Sequence, residues 1–190
     1  WQVIEPACGH LACGDTGAGK MPEPEELLSW VLKEAAYAKD LTGKRILVTA
    51  GPTRESMDPV RFITNHSTGK MGYAIARTCV RRGADVTLVS GPSALKPPEF
   101  VNVISVKSAK DMFDAVTGIA KEQDIIIKAA AVADYRPKHV SAEKVKKQDG
   151  TLTLEMERTD DILAYLGEHK REGQFLCGFA METENLLENS

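Results

Sequence analysis

Apolar residues along this chain alternate between two periods, one suited to strands and one to helices. RILVTAG at 45–51, rich in β-branched residues, reads as a buried strand. KMGYAIARTCVRRG (70–83) has helical spacing and ends on Gly83, a favourable C-terminal stop. DVTLVSG (85–91) and VNVISV (101–106) follow as the second and third strands. SAKDMFDAVTGIAKE (108–122) opens with Ser108 and has Asp111 three residues on, the spacing of a capping box. DIIIKAAAVADY (124–135) starts as a fourth strand, and GTLTLEMER (150–158) alternates like a half-exposed one. DDILAYLGEHK (160–170) reads as a helix and QFLCGFAME (174–182) as a fifth core strand. Strands and helices repeating at this spacing predict an α/β fold on a parallel, doubly wound sheet, without internal repeats.

The amino-terminal stretch is different. Residues 1–24, rich in Gly, Pro and Cys, lack a clean period and read as loop. EELLSWVLKEAAYA (25–38) places Leu27, Leu28, Val31, Leu32 and Ala35 at helical spacing, with acidic residues in the first turn. Gly43 in LTGK marks the expected boundary, giving segments 1–42 and 43–190.

Composition narrows the function classes. Lys+Arg 24 against Asp+Glu 27 leaves a formal charge of −3, which argues against a general nucleic-acid binder. No apolar run approaches the roughly 18 residues of a membrane helix, and WQVIEPACGH has no signal-peptide character. Four cysteines do not make a disulfide framework, so a cytoplasmic protein is expected. A start at Trp1 suggests a fragment.

Polar loops collect on one predicted edge of the sheet, at the carboxyl ends of the strands, where ligands bind in such folds. They are AGPTRESMDP, NHSTGKMG, AAAVADYRP, RTDD and GFAMET. NHSTGKMG (65–72) precedes a helix, whose free N–H groups and dipole suit an anion. It is not the nicotinamide fingerprint: G-x-G-x-x-G is missing, and the second strand ends on Ser90-Gly91 without a ribose-binding acid. It is not a Walker loop either, since Gly69-Lys70 is followed by Met71 and lacks the earlier glycine. Gly69 and Gly72 could merely admit a tight turn; five polar loops on one edge favour a site.

The run ILVTAGPTRESMDPVRFITNHSTGKMGYAIA closely resembles phosphopantothenoylcysteine synthetase, a coenzyme A biosynthetic ligase. The resemblance continues through RRGADVTLVSGP, AAVADYRP, EKVKK and GFAMET and covers residues 43–190. GHLACGDTGAGKMPEP resembles the substrate-clamp end of phosphopantothenoylcysteine decarboxylase, whose flavin domain is fused ahead of the synthetase in most bacteria. The resemblance implies a Rossmann-like, three-layer fold with a mostly parallel sheet. It also implies a two-step ligation. The carboxylate of 4′-phosphopantothenate attacks the α-phosphate of CTP, releasing pyrophosphate; cysteine then displaces CMP to form the amide. Fused bacterial enzymes use CTP and the eukaryotic branch favours ATP; the decarboxylase-like tail places this chain with the former.

Roles carried over by that resemblance are as follows. Asn65 contacts the activated acyl group, and Ser67, Thr68, Gly69, Lys70, Met71 and Gly72 supply anion-binding N–H groups. Asp134 binds the nucleotide or its Mg²⁺, and Lys144 approaches the triphosphate as a mobile charge. The backbone of Lys128, Ala129 and Ala130, the helix start at Asp160, Asp161, Ile162 and Leu163, and Phe179 frame the cytidine. Gly51, Pro52 and Thr53 shape the first crossover, and Thr159, Asp161 and Ile162 fit the family's Thr-x-Asp-Ile. Cys13 matches the decarboxylase proton donor, which works only in the intact fusion with its FMN domain. The implied assembly is a synthetase homodimer, larger with the decarboxylase domain. The simpler alternatives are a turn-capping Asp134, solvated Lys144, Lys146 and Lys147, a core Phe179 and a purely helix-capping Asp161. A zinc site at Cys8, His10 and Cys13 is one ligand short. A non-catalytic nucleotide-binding module and an NAD(P)-dependent reductase are the other functional readings. In the family the chain continues beyond GFAMET into further triphosphate-binding lysines, so these 190 residues are expected to fold but to ligate poorly.

Overall fold

The structure, a computed structural model, describes residues 3–147 and 149–181. The expectations on Trp1 and on the last residues of GFAMET lie outside the described residues. In chain order, a hairpin of β1 (Ala7–His10) and β2 (Thr16–Lys20) leads to α1 (Pro24–Ala35) and β3 (Arg45–Ala50). Next come β4 (Arg54–Ser56), β5 (Phe62–Thr64), α2 (Lys70–Arg81), β6 (Asp85–Ser90) and β7 (Asn102–Ser105). Then follow α3 (Ala109–Ala120), β8 (Ile125–Lys128), β9 (Tyr135–Pro137), β10 (Met156–Arg158), α4 (Ile162–Glu168) and β11 (Phe175–Gly178).

The central sheet is parallel throughout, in the order β11-β8-β3-β6-β7. β3 lies in its middle and is buried from Ile46 to Ala50, which is why its sequence reads as an unbroken apolar run. Alternation sends Ile46, Val48 and Ala50 to one face, against Tyr73, Ala76, Cys79 and Val80 of α2. Leu47 and Ile126 point to the other, against Met112 and Val116 of α3 and Ile162 and Leu166 of α4. Each such aliphatic side chain contributes about 1.5–3 kcal/mol on burial. The result is the expected three-layer, doubly wound α/β fold. Ser108 and Asp111 form the expected capping box at the start of α3.

Three expectations change. Residues 7–20 form a hairpin rather than loop; its strands are short and contain glycine, and β2 is exposed at all but one position, too weak a pattern to read. GTLTLEMER is a strand only at Met156–Arg158, where it pairs with Tyr135–Pro137. The fifth strand is short and lies at the sheet edge, with Phe175 60% exposed, so it is not a core strand. The β4–β5 and β9–β10 pairs were hidden because three-residue strands carry too few positions to show a period.

Asp58, in the turn between β4 and β5, organises a second layer of loops. Its buried carboxylate accepts from the Val60 and Arg61 N–H groups at 2.8 Å each, from Arg61 Nε at 3.0 Å and from Val145 N–H at 3.1 Å. Arg61 Nη2 in turn donates to the Val145 carbonyl at 2.6 Å, and Ser141 N–H donates to the Met57 carbonyl at 3.0 Å. The segment bearing Lys144 is thus tethered to the first crossover. The Arg61 guanidinium and these N–H groups hold the Asp58 carboxyl well below the usual carboxylate range, against the opposing effect of burial.

Two outcomes follow. Asp58→Asn turns an NH₂ toward donors, so amide exchange at Val145 should rise roughly tenfold or more, with β3 amides unchanged; unchanged exchange at Val145 would refute the tether. Because the folded carboxyl is the stronger acid, its stabilisation is complete above about pH 4 and is lost as pH falls through and below that range. The parent should therefore lose more stability between pH 5 and pH 3 than Asp58→Asn does. At Gly72 an added Cβ would lie 2.5 Å from Ala50 Cβ and 2.8 Å from the Thr49 carbonyl oxygen. Overpacking of this kind costs about 1–3 kcal/mol, against about 1 kcal/mol of helix propensity gained. The obstacle includes backbone, so Gly72→Ala should lower the urea midpoint; an equal or higher midpoint would mean that α2 has room to move.

Candidate functional site

β3 is the first strand of the sheet, and its two neighbours continue the fold in opposite directions. The crossovers after β3 and after β8 therefore part at the carboxyl edge, the switch point at which such sheets bind ligands. They are held together just beyond the strands. Ala131 N–H donates to the Gly51 carbonyl at 2.9 Å and Thr53 N–H to the Ala131 carbonyl at 3.3 Å, with Pro52 and Ala131 bridged in parallel. Thr49 Oγ1 accepts from Ala130 N–H at 3.1 Å, and Thr53 Oγ1 from Ala133 N–H at 3.0 Å. Thr53 also receives Thr64 Oγ1 on its carbonyl at 2.6 Å. Every polar atom of Thr53 is thus engaged.

Over this seam lies the first turn of α2. Gly69 has a φ of +80°, which a side chain rarely adopts, and its missing Cβ allows the turn to lie on Gly51. Ser67 Oγ accepts from Gly69 N–H at 3.3 Å and Thr68 Oγ1 from Lys70 N–H at 3.5 Å. Ser93, from the loop after β6, donates to the Thr68 carbonyl at 2.9 Å. No side chain caps α2, and first-turn groups such as Met71 and Gly72 N–H have no intrahelical acceptor. Asn65 Nδ2 reaches across to the Val132 carbonyl at 3.0 Å, linking this turn to the crossover after β8.

On the opposite face of the sheet, a cleft of about 260 Å³ is lined by Lys128, Val132, Asp134, Arg158, Thr159, Asp160, Asp161 and Ile162. Asp161 caps α4 by accepting from Ala164 N–H at 2.9 Å, so the helix-capping role is real. Thr159 fixes the cleft wall: its hydroxyl donates to the Ala133 carbonyl at 2.6 Å and its N–H to the Asp134 carbonyl at 2.9 Å. Lys128 has its pKa lowered by burial, with the nearby Asp161 and Asp134 carboxylates opposing the shift.

The structure therefore brings Gly51, Pro52, Thr53, Asn65, Ser67–Gly72 and Lys128–Ala130 to one edge, with Asp134, Asp160, Asp161 and Ile162 beside them. Leu163 packs close to Gly178, and Phe179 follows β11 with 54% exposure, so it is not a core residue. Lys144 is exposed on the tethered segment. Cys13 lies on the amino-terminal hairpin, outside this group, its Sγ 3.9 Å from Asp15 Oδ2. Among the described residues no cluster of three or more His, Cys, Asp or Glu could hold a metal ion, so the Cys8–His10–Cys13 idea finds no support. Sequence reasoning missed Asp58, Arg61, Thr64 and Ser93. Asp58-Pro59 was the available signal for the first two, since Asp before Pro in a loop favours a side-chain-closed turn.

Residues 41–190 match the family described as the DNA/pantothenate metabolism flavoprotein C-terminal domain. The coenzyme A biosynthesis bifunctional protein CoaBC of Bacillus subtilis (strain 168) is 52% identical over 188 residues, covering 96% of this chain and 46% of that protein. Its counterpart from Mycobacterium bovis is 48% identical over 192 residues, with coverages of 95% and 46%. The chain thus spans about half the length of these relatives. The crystal structure of the C-terminal domain of a CoaBC protein superposes with a TM-score of 0.70 at 55% identity, covering 80% of this chain and 71% of that one. Cab2 H337A in complex with phosphopantothenate-cysteine shares the fold at 19% identity and a TM-score of 0.63, covering 87% and 73%. The chain belongs to the family of DNA/pantothenate metabolism flavoprotein C-terminal domains.

Proposed function

We propose that this chain carries the phosphopantothenate–cysteine ligase half of a two-activity protein of coenzyme A biosynthesis. The observation that carries the reading is the convergence of an uncapped helix start, the Asn65 amide and the β3–β8 seam at one switch point. Residues 43–190 are the ligase domain, and residues 1–42 are the end of a decarboxylase domain. The similarity to CoaBC proteins, extending over 96% of the chain, supports both assignments.

In the first step the phosphopantothenate carboxylate attacks the α-phosphate of CTP, forming the acyl-cytidylate as the bond to pyrophosphate breaks. In the second, the cysteine amine attacks the acyl carbon, CMP leaves with the bonding electrons, and the nitrogen gives up a proton. Free N–H groups at the α2 start suit phosphate oxygens. Asn65, a neutral donor, suits the oxyanion that develops on the acyl group. Lys144 rides on the Asp58-anchored segment and meets the triphosphate as a point charge. The Lys128–Ala130 backbone, Asp160–Leu163 and Phe179 form the cytidine wall.

Mg²⁺ fits one residue here. Mg²⁺ usually binds through one or two carboxylates and substrate phosphates, and Asp134 supplies an exposed carboxylate at the cleft. Asp134 would hold it, and the ion would neutralise triphosphate charge. FMN belongs to the flavin part of the longer relatives, where Cys13 would serve as proton donor. The domain is proposed to work as a cytoplasmic homodimer, larger when joined to the decarboxylase; among the described residues no helix is long and apolar enough to cross a membrane.

The test uses this chain and, in parallel, the chain extended to the relatives' length. Each is mixed with 4′-phosphopantothenate, CTP and Mg²⁺, without cysteine. Mass spectrometry should find the acyl-cytidylate with pyrophosphate, and added cysteine should convert it to the amide. Failure of the extended chain to bind CTP or form the intermediate would overturn the ligase reading and leave a non-catalytic nucleotide-binding module. Asn65→Ala should lower ligation at least roughly a hundredfold while CTP affinity stays within about threefold, as removal of an oxyanion donor does; equal losses in both would make Asn65 a structural link only.

A further inference from the structure

Lys128 has been assigned only its backbone, yet its side chain is the one lysine lining the cleft beside α4. Register fixes where that side chain goes. Ile125 and Ile127 pack against the α2 cluster, whereas Ile126 belongs to the α3–α4 cluster. With a two-residue alternation, Lys128 shares the face of Ile126 and points away from α2. It therefore lies across the sheet from the free N–H groups of the α2 turn. A ligand crossing the switch point would reach from the α2 turn to Lys128. Among the described residues, Lys128 Nζ has no hydrogen-bond or ion-pair partner, although three carboxylates, those of Asp134, Asp160 and Asp161, line the same cleft with it. An ammonium on a half-buried wall without a partner lacks compensation for its lost hydration.

We propose that the Lys128 ammonium is a nucleotide-positioning group that donates a hydrogen bond to an acceptor atom of the base, the ring nitrogen or carbonyl of a pyrimidine. This rests on the nucleotide reading above and deepens it. The groups facing Lys128 are Asp134 from the β8–β9 connection, Arg158 at the end of β10, and Asp160 and Asp161 at the start of α4. Burial lowers the Lys128 pKa, while the nearby Asp161 and Asp134 carboxylates oppose the shift.

Calorimetric titrations of the extended chain would compare CTP, CMP and inorganic tripolyphosphate. Lys128→Met should bind CTP and CMP roughly tenfold to a hundredfold more weakly, the range of a charge-assisted hydrogen bond. Its tripolyphosphate affinity should stay within about twofold. Lys128→Arg should recover most of the loss. Equal CTP affinity in Lys128→Met, an equal loss toward tripolyphosphate, or no recovery in Lys128→Arg would overturn the proposal. A parent that binds tripolyphosphate but no CTP would instead overturn the nucleotide reading itself, and this inference with it.

Discussion

The seam between the crossovers after β3 and β8 is the constraint on which the rest of the site depends. A switch point opens because two neighbouring strands send their chains apart. Left unsewn, it would leave buried backbone donors and acceptors without partners at the edge of the core. Thr49 and Thr53 resolve this with side-chain oxygens, and Gly51 with its carbonyl, so that Ala130, Ala131 and Ala133 N–H groups all find acceptors. Since Thr53 is fully buried, its hydroxyl has no water alternative. Asn65 is tied directly to this frame through the Val132 carbonyl, and Lys128 and Asp134 lie on the crossover that it fixes.

What the sequence made legible follows from how each signal arises. The central strands were readable because burial on both faces produces continuous apolar runs, as in Ile46–Ala50. The α3 boundary was readable because a capping box is local chemistry, Ser108 and Asp111 acting within one turn. The edge strand Phe175–Gly178 was placed correctly but judged too buried, since apolar content does not distinguish a central strand from an edge strand. The tether made by Asp58 escaped because Val145 lies 87 positions away. The same distance effect hid the bond between Asn65 and Val132, separated by 67 positions. Motif resemblance pointed to residues that the fold does bring to one edge, Cys13 apart; which of them touch depends on the tertiary fold.

The two faces of the sheet divide the polar work at that edge. On the α2 face, donors are backbone N–H groups at a helix start, fixed in place and insensitive to pH. On the α4 face the lining includes charged side chains, those of Lys128, Asp134, Arg158, Asp160 and Asp161. Fixed dipoles suit a ligand portion that is always charged, whereas mixed side chains can present both donor and acceptor to a neutral ring.

The far end of α2 shows the complementary logic. Its last carbonyls carry the negative end of the helix dipole. Lys39 Nζ donates to the Arg81 carbonyl at 2.6 Å and also to the Lys33 carbonyl at the end of α1. Leu41 N–H donates to the Arg82 carbonyl at 3.0 Å, while Asp40 takes the Arg82 guanidinium in a two-point pair. One lysine thus joins the ends of two helices, and the two ends of α2 differ: its last carbonyls are held by a linker cation, whereas its first turn has no side-chain cap. A shift of the amino-terminal segment relative to the sheet would have to break the Lys39 and Asp40 contacts or carry α2 along. Because Gly72 seats α2 against Ala50 with no space for even a methyl group, the helix can slide very little without disturbing the seam. The amino-terminal segment and the switch point are therefore mechanically joined through one helix.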